Sequence, residues 1–406
     1  MGKADLCGDA NEIVDDVTIP YRRGHCSSKW DRPTSIWGDE IICTTLAEPE
    51  VIGPQAIQKV LIDKIRCGCF GYTDVDPAFA DIVRQWMKRR HGWVLNPQSV
   101  LFTPRLIQAV TVLSREVLSS SSLFAELDPA YGPIGNALIA NGHRRITATL
   151  AMEDGRAVLD LNALDKVFSQ SPELFILCSP HNPTGRLWTR EELRQIIVRC
   201  VEYNVMILSD EVHSDLCPTH RHLPTQMVAE ELYAAGEISA IPTILTGVSP
   251  AKGFGMAGME SAALIVNDEN IANAVSGGMA KAGMLNATYL AIPAFIAAWT
   301  QCEPWLDSLN EMVEKNRSIA TEILSQVDGV QICQADGTYL LWVEIVDDRL
   351  CPEGIVDFLA REAGVLVSAG TEYGESYHRW FRMSIAMPPE QMRTICTRIV
   401  DALAIR

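Results

Sequence analysis

Three short apolar runs in the middle of the chain each end in a polar residue of a different chemical kind. Leu174 to Cys178 runs into Ser179-Pro180-His181-Asn182-Pro183-Thr184-Gly185, Val205 to Ser209 into Asp210-Glu211-Val212-His213, and Thr243 to Val248 into Ser249-Pro250-Ala251-Lys252. Runs of this length and composition read as buried strands. Ligands of open α/β sheets bind beyond the carboxyl ends of their strands, so an amide, a carboxylate and an amine are expected on one sheet edge. An amine held out of water can condense with an aldehyde, and a carboxylate can keep an aromatic ring nitrogen protonated. Singly, each residue has a plain structural reading, since Asn-Pro-Thr-Gly is a good turn and an aspartate can cap a helix. Their joint placement on strand ends is what points to chemistry.

The cofactor that needs this set is pyridoxal 5'-phosphate. Lys252 suits a Schiff base with its aldehyde, Asp210 a contact to its ring nitrogen, and Asn182 a hydrogen bond to its phenolic oxygen. Tyr131, in Asp128-Pro129-Ala130-Tyr131, suits stacking on the ring face. A competing motif lies alongside, because Gly253-Phe254-Gly255-Met256-Ala257-Gly258 matches G-x-G-x-x-G. That fingerprint has to open a helix whose N-terminus meets a pyrophosphate. Ser261 to Val266 instead reads as a strand beginning almost at once, so a dinucleotide is not expected.

The elements that must position these residues alternate. Further strands are expected at Val100 to Thr103 and Leu123 to Ala125, and the clearest helix starts at Thr189, with Glu192 completing a capping box. Alternation of this kind implies an α/β fold with a mostly parallel central sheet. From about Ala287 the character changes to long helices, strands at Thr338 to Ile345 and Trp380 to Ile385, and a last helix, as in a smaller α+β domain. The expected division is an arm over residues 1–50 packing with the small domain, a large cofactor-binding domain over 51–290 and a small domain over 291–406. The chain has 406 residues, 48% of them hydrophobic, enough for a sizeable core, and a formal charge of −17 that disfavours nucleic acid and anionic membrane surfaces. Met1 to Asp16 lacks a secretory pattern and Ala287 to Trp299 is too short to span a bilayer, so a cytoplasmic protein with no membrane partner is expected. Its scattered cysteines are expected as free thiols, and Cys67 with Cys69 lacks the second pair of a zinc site, so no metal is expected.

These residues carry a resemblance over nearly the whole chain. With Lys29-Trp30-Asp31, Phe70-Gly71-Tyr72, Pro129-Ala130-Tyr131 and Phe381-Arg382, the sequence resembles the fold-type I pyridoxal-phosphate enzymes of aminotransferase class I/II, and most of all the cystathionine β-lyase group known as MalY/PatB. The histidine at 213, where most aminotransferases carry tyrosine, points to the lyase group. The resemblance implies that Lys252 forms the Schiff base and shuttles the Cα proton, and that Asp210 holds the pyridinium. Asn182 would contact the phenolic oxygen, with His213 a further candidate, and Tyr131 would stack on the ring. Arg382 would clamp the carboxylate of an amino-acid substrate, a task suited to its planar fork of donors, with Asn182 beside it. Tyr72 would reach the cofactor of the neighbouring subunit, making a homodimer with shared active sites.

The phosphate would lie at the helix start Arg105-Leu106-Ile107, with Ser249 nearby. The sequence departs from the family here. Arg105 stands where relatives have a small residue, and Glu260, eight residues after Lys252, stands where many aminotransferases have a phosphate-binding arginine. Arg105 is expected to compensate, the alternatives being that its long side chain turns from the phosphate to the substrate's leaving group or stays solvated at the surface. The family's Asp-Met-Asp-Phe segment, which lines the substrate entrance, is replaced by Ala47-Glu48-Pro49-Glu50. The leading expectation is β-elimination from a cysteine conjugate. Transamination or oxidative decarboxylation and deamination are alternatives on the same scaffold, and a regulatory protein that retains the cofactor is another.

Overall fold

A computed structural model of the chain describes residues 22–95, 100–347, 350 and 354–404. The reading of Met1 to Asp16 lies outside the described residues. Seven strands form the central sheet in the order Val100–Thr103, Ala262–Val266, Ile244–Val248, Met206–Asp210, Leu174–Cys178, Leu123–Asp128, Arg144–Thr149. Ala262–Val266 runs antiparallel to both its neighbours and every other pairing is parallel.

The unbroken apolar runs reflect burial on both faces of this sheet. Phe175, Leu177 and Ile207 point into one core with Phe168, Ile196 and Leu232, while Leu174, Ile176 and Leu208 point into another with Leu113, Leu138 and Val275. Helices cover both faces. Arg190–Glu202 starts as its sequence dictates, with the Thr189 hydroxyl accepting the Glu192 N–H and the Glu192 carboxylate accepting the Thr189 N–H. The strand Arg144–Thr149 was not expected. As the sheet edge it is half solvated, so it lacks an apolar run and reads Arg-Arg-Ile-Thr-Ala-Thr.

A second, antiparallel sheet has the order Val330–Ile332, Leu340–Ile345, Trp380–Ser384, Ser368–Ala369. Residues 42–50 run beside it, with the Ser384 N–H donating to the Thr44 carbonyl. Ile42 and Cys43 pair with Val365 and Leu366, and the Glu50 N–H donates to the Ala386 carbonyl. The largest core is continuous from Ala47 through Phe295 to Leu403. Much of the stretch Ala287 to Trp299 becomes the buried helix Ala291–Gln301, whose Phe295 and Trp299 pack on Phe79 and Trp86. No helix among the described residues is long and apolar enough to cross a membrane.

Candidate active site

Asp210, the last residue of its strand, is buried, and its Oδ1 accepts the Val212 N–H at 3.3 Å. Burial pushes its carboxyl up to about 6, against the pull of the nearby Lys252 ammonium. Lys252 sits on the turn after Ile244–Val248, braced by the Ser249 hydroxyl, which accepts the Ala251 N–H at 3.0 Å and donates to the Ser261 carbonyl at 2.7 Å. Nζ of Lys252 donates to the Ala47 carbonyl at 3.1 Å. Burial, then the positive charge of Arg382, brings its amine down to about 8.

Arg382 reaches the same place from the strand Trp380–Ser384 of the second sheet. Its Nη1 donates to Asn182 Oδ1 at 3.1 Å, its Nη2 donates to the Thr45 carbonyl, and its guanidinium centre lies 5.1 Å from the centre of the Tyr373 ring. It is buried, and among the described residues no carboxylate pairs with it. A buried guanidinium without a counter-ion is unfavourable unless an anion arrives. Because Arg382 takes Oδ1 of Asn182, the amide leaves Nδ2 as its donor.

His213 is buried with its imidazole held neutral, first by burial and then by the charges of Lys252 and Arg382. Its Nδ1 has no hydrogen-bond partner among the described residues. Tyr131 precedes the helix Gly132–Ala140 and lines a small cavity together with Asp210, Cys178, His181 and Ile134. The side chains of Asp210, Lys252, Asn182, Arg382, His213 and Tyr131 are therefore gathered at the junction of the two sheets, each within electrostatic or hydrogen-bond reach of another.

The helix Leu106–Glu116 starts at the same sheet end, because buried Leu106 packs directly over Gly247, where a Cβ would fall 2.5 Å from Leu106 Cδ1. Its first turn, with Leu106 and Ile107, carries backbone N–H groups that an α-helix leaves unpaired. Arg105, just before it, is half exposed, and its Nη2 lies 2.8 Å from Oε1 of Glu260. The two charges that depart from the family pattern meet each other. Gly253 to Gly258 opens no long helix, only the short turn Ala257–Met259 before the antiparallel strand. Tyr72 stands apart from the group within one chain, fully exposed beside exposed Phe70.

Sequence reasoning missed Tyr339, whose hydroxyl donates to the Ala47 carbonyl at 2.9 Å and also lies 3.3 Å from the Lys252 carbonyl. It also missed the carbonyls of Thr45 and Ala47. Backbone acceptors leave no side-chain signal, and Tyr339, just before the strand Leu340–Ile345, is hidden at the head of an apolar run.

The donor set fits pyridoxal 5'-phosphate. Among the described residues the buried carboxylate has no cationic partner in direct contact and the buried His213 Nδ1 is unpaired, while the lysine amine is partly desolvated and a helix N-terminus stands ready for a dianion. Known proteins agree. Cystathionine β-lyase PatB of Bacillus subtilis (strain 168) is 30% identical over 94% of this chain and 98% of its own. Protein MalY of Escherichia coli (strain K12) is 24% identical over 97% of this chain and 98% of its own. The structure of cystalysin from Treponema denticola, which contains a pyridoxal 5'-phosphate cofactor, superposes with a TM-score of 0.88 at 25% identity, covering 97% of this chain and 99% of that one. The family model for aminotransferase class I and II matches residues 45–399, a span that takes in every gathered side chain, and the chain belongs to that family.

Proposed function

We propose that the chain is a pyridoxal 5'-phosphate-dependent carbon–sulfur lyase that splits a cysteine conjugate by β-elimination, working as a homodimer. The observation that carries this reading is the meeting of Lys252, Asp210 and Asn182 with a buried, carboxylate-free Arg382. When bound, the cofactor supplies a sink for the electron pair left at Cα. Lys252 holds the cofactor and then takes the Cα proton on Nζ. With an amine near 8, a useful fraction is free base close to neutral pH. Asp210 is the counter-charge for the ring nitrogen, and Tyr131 covers the ring face. Asn182, through Nδ2, and His213, through its unpaired Nδ1, serve the phenolic oxygen.

Arg382 binds the substrate carboxylate as a charge-assisted pair. The N–H groups of Leu106 and Ile107 take the phosphate, Ser249 braces the turn beneath it, and Arg105 cancels the charge of Glu260 beside it. Tyr72 completes the site of the partner subunit. The arm over 1–50, the cofactor-binding unit over 51–290 and the unit over 291–406 each contribute to one site, through Ala47, Lys252 and Arg382 respectively. The ten unpaired thiols among the described cysteines suit a reducing, cytoplasmic setting.

The reaction balances with one water. An S-substituted cysteine gives thiol, pyruvate and ammonium, with the Cβ–S pair leaving on sulfur. Supplying such conjugates to the cofactor-loaded enzyme without any added 2-oxo acid is expected to release thiol and pyruvate in equal amounts. Keto-acid release that requires an added 2-oxo acid acceptor would overturn elimination in favour of transamination.

A further inference from the structure

Lys29 is wholly buried, which is rare for a lysine and unfavourable unless something is gained. Its Nζ lies 2.7 Å from Oε1 of the equally buried Glu50 and donates to the Glu48 carbonyl at 3.1 Å. The other oxygen of Glu50 accepts the Trp30 indole N–H at 3.2 Å, and Arg22 approaches Glu50 at 3.2 Å. An apolar pair of similar volume would anchor this segment with less desolvation. The segment it anchors, residues 47–50, is the one whose Ala47 carbonyl accepts Lys252 and Tyr339.

We propose that Lys29, through its pair with Glu50 and the backbone of 47–50 that the pair fixes, is a positioning residue that holds the Ala47 carbonyl against Nζ of Lys252. The carbonyl then gives the amine a defined resting place and a partner for its charged form. The role rests on the reading of Lys252 as the reactive amine. The charged groups acting on that amine are Arg382, Glu48, Asp210 and Lys29. Of the pair, only Lys29 acts on that amine, and its charge lowers it, so deleting both partners would through the field alone make Lys252 hold its proton more tightly, the opposite of what a displaced carbonyl does. A looser hold therefore reports the carbonyl.

The test uses the double variant Lys29→Met/Glu50→Leu, which keeps the site packed. Trace acetylation of cofactor-free protein, followed by mass spectrometry across pH, reports the proton affinity of the Lys252 amine against the surface amine of Lys166. A buried amine that loses an acceptor for its charged form holds its proton less well. Lys252 is therefore expected to label about threefold faster at pH 7 in the double variant, corresponding to a midpoint lower by roughly half a unit, while Lys166 is unchanged. A folded double variant with an unaltered Lys252 profile would make the pair a structural anchor only. A double variant that does not fold would do the same, and either result overturns the proposal. Failure of the wild-type enzyme to carry cofactor on Lys252 would instead strike the functional reading and leave the labelling result to be judged separately.

Discussion

Glu260 and Arg105 show how two departures from a family pattern can explain each other. A lone carboxylate beside a phosphate site repels a dianion, and a lone arginine on a half-exposed helix start has little reason to be fixed. At 2.8 Å they neutralise one another. Arg105→Ala is therefore expected to weaken pyridoxal phosphate about tenfold while leaving unphosphorylated pyridoxal nearly untouched, and adding Glu260→Gln should restore most of the loss. Titration of both ligands into apoenzyme checks this, and a double variant no better than the single one would argue against it.

Asp210 makes a second prediction. Its folded-state value, about 6, lies above the ordinary 3.8, so its contribution to apoprotein stability is full below about 4 and is lost as pH rises through 6. Relative to wild type, apo Asp210→Asn should gain up to about 3 kcal/mol between pH 4 and pH 7, measured as the difference in urea unfolding. A pH-independent difference would mean that the carboxyl is not desolvated. Asp210, Asn182 and Lys252 were legible because Asp210 ends an apolar strand and the other two lie in the turns that follow two more. The acceptors Thr45 and Ala47 were not, since what they offer is backbone.

Elements explain why the site is where it is. Strands buried on both faces announced themselves as apolar runs, and Thr189 with Glu192 announced a helix start. The edge strand Arg144–Thr149 and the short strands Val330–Ile332 and Ser368–Ala369 stayed hidden, because partly solvated or very short strands need no apolar run. The close approach at Gly247 also carries no pattern in the sequence, yet it seats the helix Leu106–Glu116 at the sheet end. Gly247→Ala should push Leu106 and the first turn outward, lowering stability by about 1–3 kcal/mol and weakening cofactor binding several-fold. Thermal melts with cofactor titration test it, and an unchanged midpoint and affinity would show that Leu106 yields at no cost.

At the scale of the whole molecule, one chain leaves Tyr72 fully exposed, with Phe70 and Leu285 also exposed on its surface. If Tyr72 serves the partner's site, Tyr72→Ala and Lys252→Ala homodimers should both be nearly inactive. Unfolding and refolding the two together should then recover activity, because a mixed dimer owns one intact site. No recovery in verified mixed dimers would place Tyr72 in its own chain's site or outside catalysis. The acidic charge and alternating elements made the class of molecule legible, whereas a homodimer of the kind proposed would be encoded in surface residues that gain a meaning only beside a second copy. The central claim, that this fold is built around a cofactor held by Lys252, has a direct measurement: borohydride reduction of the loaded wild-type enzyme followed by peptide mapping. The phosphopyridoxyl mass is expected on the peptide containing Lys252. Its appearance on Lys29 or any other lysine, or its absence from an active enzyme, would contradict the account.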